Sequence, residues 1–413
     1  MRIYYQSLCQ WLIVIGAFWE RWYEIAILLL VNVIIIATTK TFCFNKVINI
    51  SAILIVLWSI ISITILGYGY SKFVQQFILL YVVVTCYYNF FNYIQFDIEV
   101  LFEKYIKYIY ILSLVGLLQF VVFALSGINI TDFLYQKGST EVASGVIRIT
   151  SILREPSQFS CALTPAIVYI LFVGSKIQLS IHKKVVLFLT VILTFSTITY
   201  CVLAIALIYK YCIYYNSFFI RIFATCVLAF LIINGIFTDI TTKSSDSAFA
   251  EIVIKLDDSI SGIKDMEPQS FELLNLSSYA TLSNIWVALN APLRLTGTGL
   301  GTHYQNYYST YISNFQYHGQ NADEAYSLAT RLYSEFGLLG FLLIILQLIR
   351  NFNKNSAINI AVAFLILSQL IRGGHYMRYG LVMYFFMYYY SGYFCNKNMD
   401  FRRKYKHNTN TDG

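Results

Sequence analysis

The chain has 413 residues, of which 58% are hydrophobic and 12% charged, with a mean hydropathy of +0.62 and a formal net charge of +8. Soluble domains carry about 25% charged residues. Half that density, with apolar runs of helix-spanning length throughout, excludes a soluble globular domain and implies an all-α polytopic membrane protein. The positive charge belongs to membrane topology in this reading, so no nucleic-acid partner is expected.

In chain order the apolar segments are 8–19, 24–39, 47–66, 73–94, 105–126, 158–175, 184–196, 197–214, 218–236, 327–349, 356–371 and 376–394. They predict about 11–12 transmembrane helices, several short of the ~20 residues a perpendicular span needs. The first is the weakest. Its "CQWLIVIGAFW" runs into charged "ERWYE" and not into a small-residue cleavage site, so no cleavable signal peptide is expected. The pair 184–196/197–214 reads as one long helix or as two short ones turning at "TFSTIT". Only 4 prolines are present, and irregular backbone is costly in lipid, so helices should dominate. The 8 cysteines lie in or beside apolar segments with no C-x-x-C. That disfavours a disulfide framework and a zinc site.

Charge sets the orientation. With both termini cytoplasmic, 17 of the 29 Lys and Arg fall on inner connections, led by the basic tail 395–413, which contains "NKNMDFRRKYKHN". This is the positive-inside pattern. The outer side holds the other 12, and 7 of those are Arg. Arginines at the translocated ends of spans run against the insertion rule and mark functional candidates. A planar guanidinium also grips phosphate bidentately, which Lys cannot do.

Residues 1–413 read as a single polytopic membrane domain with two substantial outer loops, 127–157 and 237–326. The second is too long to be structureless. Its "SAFAEIVIKLDDSI" and "SYATLSNIWVALNAPL" are both amphipathic, the latter placing Tyr279, Leu282, Ile285, Trp286 and Leu289 on one helical face. Such helices lie on the bilayer surface or roof a cavity in the bundle. No internal repeat of the kind that builds transporters is visible.

Four stretches carry candidate chemistry. In "RITSILREPSQFS" (148–160), Pro156 opens a span and Glu155 sits near its cap. Helix N-termini favour anions, so Arg148 and Arg154 beside one form a phosphate site at membrane depth. Glu155 is then a general base or the partner that orients an arginine. The alternative is interfacial snorkelling with a Glu cap. In "RLTGTGLGTHYQNY" (294–307), Gly297, Gly299 and Gly301 alternate before His303. This reads as a close backbone approach to a ligand or as a plain turn. In "YHGQNADEAYSLATRLYSEFGLLGF" (317–341), His318, Asp323 and Glu324 precede a span that contains Arg331 and Glu335. Those two either pair at i, i+4 or present Arg331 to the same cavity as Arg154. In "RGGHYMRYG" (372–380), Arg372, His375 and Arg378 crowd the last outer turn, as a membrane-edge anchor or as part of the site. No ligand spacing supports a metal site.

Together these stretches resemble a family. Arg148, Ser151, Glu155, Pro156, Ser157 and Phe159 match an arginine followed by S-x-x-x-E-P-S-x-F/Y, the feature of Wzy-type O-antigen polymerases. The wider O-antigen ligase/polymerase superfamily adds W-x-x-A-L, G-x-G-x-G and a span opening E-x-G-L-x-G. The last two read here as "GTGLG" (297–301) and "EFGLLG" (335–340), and the first as "WVAL" (286–289), one residue shorter than the motif. The similarity covers about residues 105–394. It implies a glycosyltransferase of the bacterial inner membrane that joins undecaprenyl-pyrophosphate-linked oligosaccharide repeat units at the periplasmic face, for lipopolysaccharide biosynthesis. No nucleotide sugar, metal or other cofactor is expected. Membrane lipid is an expected partner, and a chain-length regulator is left open.

In this resemblance Arg148, Arg154, Arg331, Arg372 and Arg378 are the pyrophosphate-binding candidates. Glu155 is the first candidate base, with His303 and His318 second. Ligase-type members carry a His shortly before the G-L-x-G span, whereas Tyr326 stands in that slot here. That favours polymerase over ligase. A lipid-linked oligosaccharide flippase is the alternative from a different class.

Overall fold

A computed structural model describes residues 2–19, 21–133, 142–143, 146–172, 179–214, 267–377 and 380–393. Among them the chain is an all-α bundle with one short antiparallel hairpin, β1 (Val142–Ala143) against β2 (Val146–Ile147).

Among the described residues, five helices are long and apolar enough to cross a membrane. They are α2 (Arg21–Thr39), α3 (Lys46–Leu66), α4 (Ser71–Tyr93), α5 (Ile98–Ser126) and α12 (Leu328–Asn351). Helix α3 shows how the sequence sets their ends. The Asn45 side chain accepts the Val47 and Ile48 amides at its start, as an N-cap should. Gly67 ends it in the left-handed region at φ 66°, where glycine carries no Cβ penalty. Its 21 residues reach roughly 31 Å at 1.5 Å per residue, the thickness of a hydrocarbon core. Leu54 is 61% exposed and Ile65 68%, while Ser59 and Ser62 are buried. Apolar residues outward and hydroxyls inward is the pattern lipid demands.

The remaining bundle helices are α1 (Arg2–Gly16), α6 (Pro156–Leu171), α7 (Ile181–Leu193), α8 (Thr197–Ile208, continued by a π turn to Tyr214), α13 (Ala357–Ile371) and α14 over 381–393. Each predicted apolar segment coincides with a helix except 218–236, which lies outside the described residues. The ambiguous pair 184–196/197–214 is two helices. Phe195, with φ 46°, turns the chain between them.

The short α6 is buried on nearly every side, from Pro156 through Tyr169. It packs among α5, α7, α8 and α13. A helix enclosed by other helices need not match lipid thickness. Lipid tails are as apolar as Leu, so close packing and interhelical hydrogen bonds hold such a bundle together. Gly116 on α5 admits the Phe159 ring, and the Tyr105 hydroxyl donates to the Ala162 carbonyl at 2.6 Å. On the other flank α2 is tied to α4, with Asn89 donating to Asn32 Oδ1 at 2.8 Å and the Tyr87 hydroxyl to Glu24 at 2.7 Å.

The described part of the long loop adds α9 (Pro268–Phe271), α10 (Leu276–Asn290) and α11 (His303–Thr310). Phe271, Tyr279, Leu282, Val287, Tyr307 and Tyr311 give these helices a small core of their own. Helix α10 packs on α12, so this amphipathic segment roofs the bundle. Its expected stripe is partly met: Tyr279 and Leu282 are buried, whereas Leu289 is 41% exposed. The segment "SAFAEIVIKLDDSI" lies outside the described residues.

Candidate functional site

The glycine-rich loop and the E-x-G-L-x-G span meet. Helix α12 is broken at Gly337, whose φ 67°, ψ −175° is non-helical. A break strands amides and carbonyls that a continuous helix would pair. The 293–302 loop supplies partners for them. Gly299 N–H donates to the Glu335 carbonyl at 2.8 Å, and Leu338 N–H and Leu339 N–H donate to the Arg294 and Leu295 carbonyls at 2.9 and 3.0 Å. The approach needs glycine on both sides. A Cβ on Gly297 would fall on the Glu335–Gly337 backbone, and one on Gly337 would fall on Leu295 and Gly297. The loop is also fixed from beneath: Ser59 Oγ accepts the Leu300 amide at 3.0 Å, and Trp58 Nε1 donates to the Thr296 carbonyl at 3.1 Å. Close backbone approach is therefore what these glycines do: Gly297 meets α12, Gly299 meets Ser59 of α3 and Gly301 meets Lys72 of α4.

Arg331 lies six residues before that break and is 1% exposed. Its Nε donates to Glu335 Oε1 at 3.0 Å, Nη1 to the Gly374 carbonyl at 3.0 Å and Nη2 to Gln76 Oε1 at 2.6 Å. The guanidinium also lies 4.3 Å from the Tyr376 ring centroid. The Tyr376 hydroxyl completes the circuit by donating to Glu335 Oε2 at 2.8 Å. Of the two readings of this i, i+4 pair, the structure shows the ion pair. Burial first, then the Glu335 carboxylate, holds the Tyr376 phenol well above the usual tyrosine range.

His303 begins α11 and is 1% exposed. Its Nε2 lies 2.9 Å from Asn284 Oδ1. The Asn284 amide nitrogen donates to the Ala280 and Gln320 carbonyls, so Oδ1 accepts and the imidazole carries its proton on Nε2. Burial, followed by the charge of Arg331, pushes its pKa down to about 3. The ring is thus a neutral hydrogen-bonding strut between α10 and α11. His318 is half-buried and packs against the rings of Tyr307, Tyr308 and Tyr311, with Nε2 at 2.9 Å from the Tyr311 carbonyl. It belongs to the loop's aromatic core. Neither histidine is brought to Glu155 by any contact among the described residues.

The 148–155 stretch is differently built. Arg148, half-buried, reaches the turn between α7 and α8, donating to the Phe195 carbonyl at 3.1 Å and to the Thr194 carbonyl at 3.4 Å. Arg154 and Glu155 are exposed. Glu155 is the N-cap residue of α6, with φ −132° and ψ 145°, and Pro156 follows at the first helical position. The Glu155 side chain makes no capping bond. It accepts the Ser157 hydroxyl at 3.1 Å. Arg372 ends α13, lies 5.4 Å from the Tyr326 ring centroid and acts electrostatically on Cys161 of α6. Arg154 precedes the start of α6, Arg148 reaches the turn before α8 and Arg372 ends α13, which packs directly on α6 and α8. Arg378 lies outside the described residues.

Gln119 holds that stretch in place, and the sequence reading missed it. Fully buried on α5, it accepts the Thr150 and Ser151 amides at 2.9 and 3.0 Å through Oε1. Its amide nitrogen donates to Asn129, Thr131 and Thr150. Ser151, at φ 55°, donates to the Leu112 carbonyl at 2.7 Å. An uncharged amide inside "LSLVGLLQFVV" was the available signal. No group of three or more His, Cys, Asp or Glu among the described residues is arranged to hold a metal ion. No protein-family model and no curated protein matches the chain.

Proposed function

We propose that the protein is a glycosyltransferase of the O-antigen polymerase type, joining repeat units carried on undecaprenyl pyrophosphate. The observation that carries this reading is the mutual docking of the "GTGLG" loop and the "EFGLLG" break. Two motifs that resemble one family, separated by 33 intervening residues in the chain, make a single backbone-bonded unit beneath the roof of α10 and α11.

Charges borne by the α6, α8 and α13 ends supply the chemistry in this reading. Arg154, Arg148 and Arg372 stabilise the pyrophosphate as negative charge develops on it. Glu155 is the one candidate base that is open at this face, and it takes the proton from the acceptor hydroxyl. The acceptor oxygen bonds to the anomeric carbon, the bond from that carbon to the pyrophosphate oxygen breaks, and lipid pyrophosphate leaves with the electron pair. Arg331, Glu335, Tyr376 and His303 form the scaffold below and do not touch substrate in this reading.

The test is complementation of a deletion strain, read as a lipopolysaccharide ladder. Wild type restores the ladder. Arg154→Ala leaves a single repeat with normal protein level, and Arg154→Lys rescues poorly because it lacks the bidentate fork. Full ladders from both variants overturn the site. Loss of every attached repeat in the deletion, with lipid-linked polymer accumulating, identifies a ligase instead. Failure of purified protein to elongate lipid-linked repeats without a gradient favours a transporter.

A further inference from the structure

A second site lies at the opposite end of the bundle. Helix α4 measures the separation. At its start, Gly301 packs against the Lys72 carbonyl, and Lys72 pairs with Asp323 of the roof at 2.9 Å. Its 23 residues then carry the chain roughly 35 Å at 1.5 Å per residue. Beyond its far end is a cavity of about 600 Å³, lined by Gln6, Ser7 and Gln10 of α1, by Asp97, and by Lys104 of α5.

Lys104 is 8% exposed. Its ammonium donates to the Ser7 carbonyl at 3.2 Å and the Ser7 hydroxyl at 2.5 Å, and lies 5.6 Å from the Trp11 ring centroid. All three partners are uncharged. The neighbouring carboxylate, Glu103, pairs with Lys107 at 2.8 Å. A cation this buried calls for a counter-charge. Gln10, 6% exposed, lines the same cavity and makes no hydrogen bond with a described residue. Asp97 adds a negative charge. One of its oxygens caps α5 through the Val100 amide at 3.1 Å, and it pairs with no cation among the described residues.

A cavity with one buried ammonium, one carboxylate and an open amide complements a zwitterion better than a simple anion. Its lip is apolar, with Ile3 83% and Val100 38% exposed, as acyl chains would require. We propose that this cavity binds the headgroup of an aminophospholipid. The phosphate sits on Lys104 and Gln10, and the primary ammonium sits on Asp97. The site is independent of the glycan-transfer reading, being built from other residues at the other end of the bundle.

The full chain, delipidated in detergent, is titrated with phosphatidylethanolamine, phosphatidylglycerol of the same acyl chains, and soluble phosphoethanolamine, with occupancy read by native mass spectrometry. Phosphatidylethanolamine is expected to be retained at least about tenfold over phosphatidylglycerol, a difference of roughly 1.4 kcal/mol. Lys104→Gln lowers its occupancy by a similar factor. Asp97→Asn keeps the helix cap and removes the headgroup preference. Equal or better binding of phosphatidylglycerol by the wild type overturns the proposal, as does unchanged occupancy in Lys104→Gln. Soluble phosphoethanolamine competing on equal terms overturns the lipid assignment. Wild-type headgroup ranking and Asp97→Asn decide the matter even if Lys104→Gln fails to fold.

Discussion

The Arg331–Glu335 pair gives the sharpest test of how the site end is held. Arg331→Met leaves the Glu335 carboxylate, 0% exposed, with only the Tyr376 hydroxyl beside it, and strips the Gly374 carbonyl and Gln76 of their donor. Glu335→Gln leaves the guanidinium charged and unmatched. Removing one partner of a buried pair costs about 3–5 kcal/mol, a large fraction of the roughly 5–15 kcal/mol that holds a typical protein together. In the double variant neither charge remains, and the glutamine still accepts from Tyr376. The double variant should therefore be no less stable than either single, with a coupling on the order of 3 kcal/mol. Reversible unfolding in mixed micelles measures it. Additive losses in the double variant refute the closed ion-pair network. Normal stability with abolished turnover in Arg331→Met would instead return this arginine to the substrate.

Three further outcomes follow from the same geometry. Gly337→Ala should destabilise the fold severely, because its Cβ meets Leu295 and Gly297, whereas Gly127→Ala, also at positive φ but with open space around it, should cost only about 1 kcal/mol; equal thermal shifts would refute the docking argument. His303 has a depressed folded pKa of about 3 against an ordinary 6.5, so between those values the unfolded chain binds the extra proton and stability falls as pH falls. From pH 6.5 to pH 5 the loss is roughly 1–2 kcal/mol, and His303→Gln should flatten that part of the melting profile relative to wild type. Gln119→Leu orphans the Thr150 and Ser151 amides, at about 1–3 kcal/mol for each buried group; faster proteolysis between residues 148 and 155 is expected, and unchanged cleavage would argue against the hub.

Helix existence was legible because lipid imposes one rule on every span, and "VINISAILIVLWSIISITIL" obeys it without help from neighbours. Helix length was less legible. The segment 158–175 ends as a helix at Leu171, since α6 is shielded by protein and its length answers to packing instead of bilayer thickness. The split at "TFSTIT" was legible only as a choice, because the Arg148 clasp that fixes the turn comes from 46 and 47 residues away. The same limit applies at the site. Alternating glycines announce a close approach, but what approaches them is set by the fold. The sequence offered His303 and Arg331 as candidates for the substrate site. Their burial comes from α10 lying over α12, a tertiary fact.

The two halves of the site end divide the work by solvent access. The α12 break strands backbone groups beneath the roof, and the glycine loop answers them with bonds that leave no room for a Cβ, let alone a ligand. Arg331 is spent on Glu335, Gln76 and Gly374, and His303 is held neutral by burial. In the proposed reading the substrate bears a pyrophosphate and a sugar hydroxyl and needs a cation and a base at the surface, where Arg154 and Glu155 are exposed. They sit where α6 begins, on a stretch held from below by Gln119 and tied sideways to the α7–α8 turn by Arg148. A stretch held this way presents charge without moving, which is what stabilising a developing charge requires. The buried network secures the roof, and in the proposed reading the exposed Arg154 and Glu155 are the groups that meet the substrate.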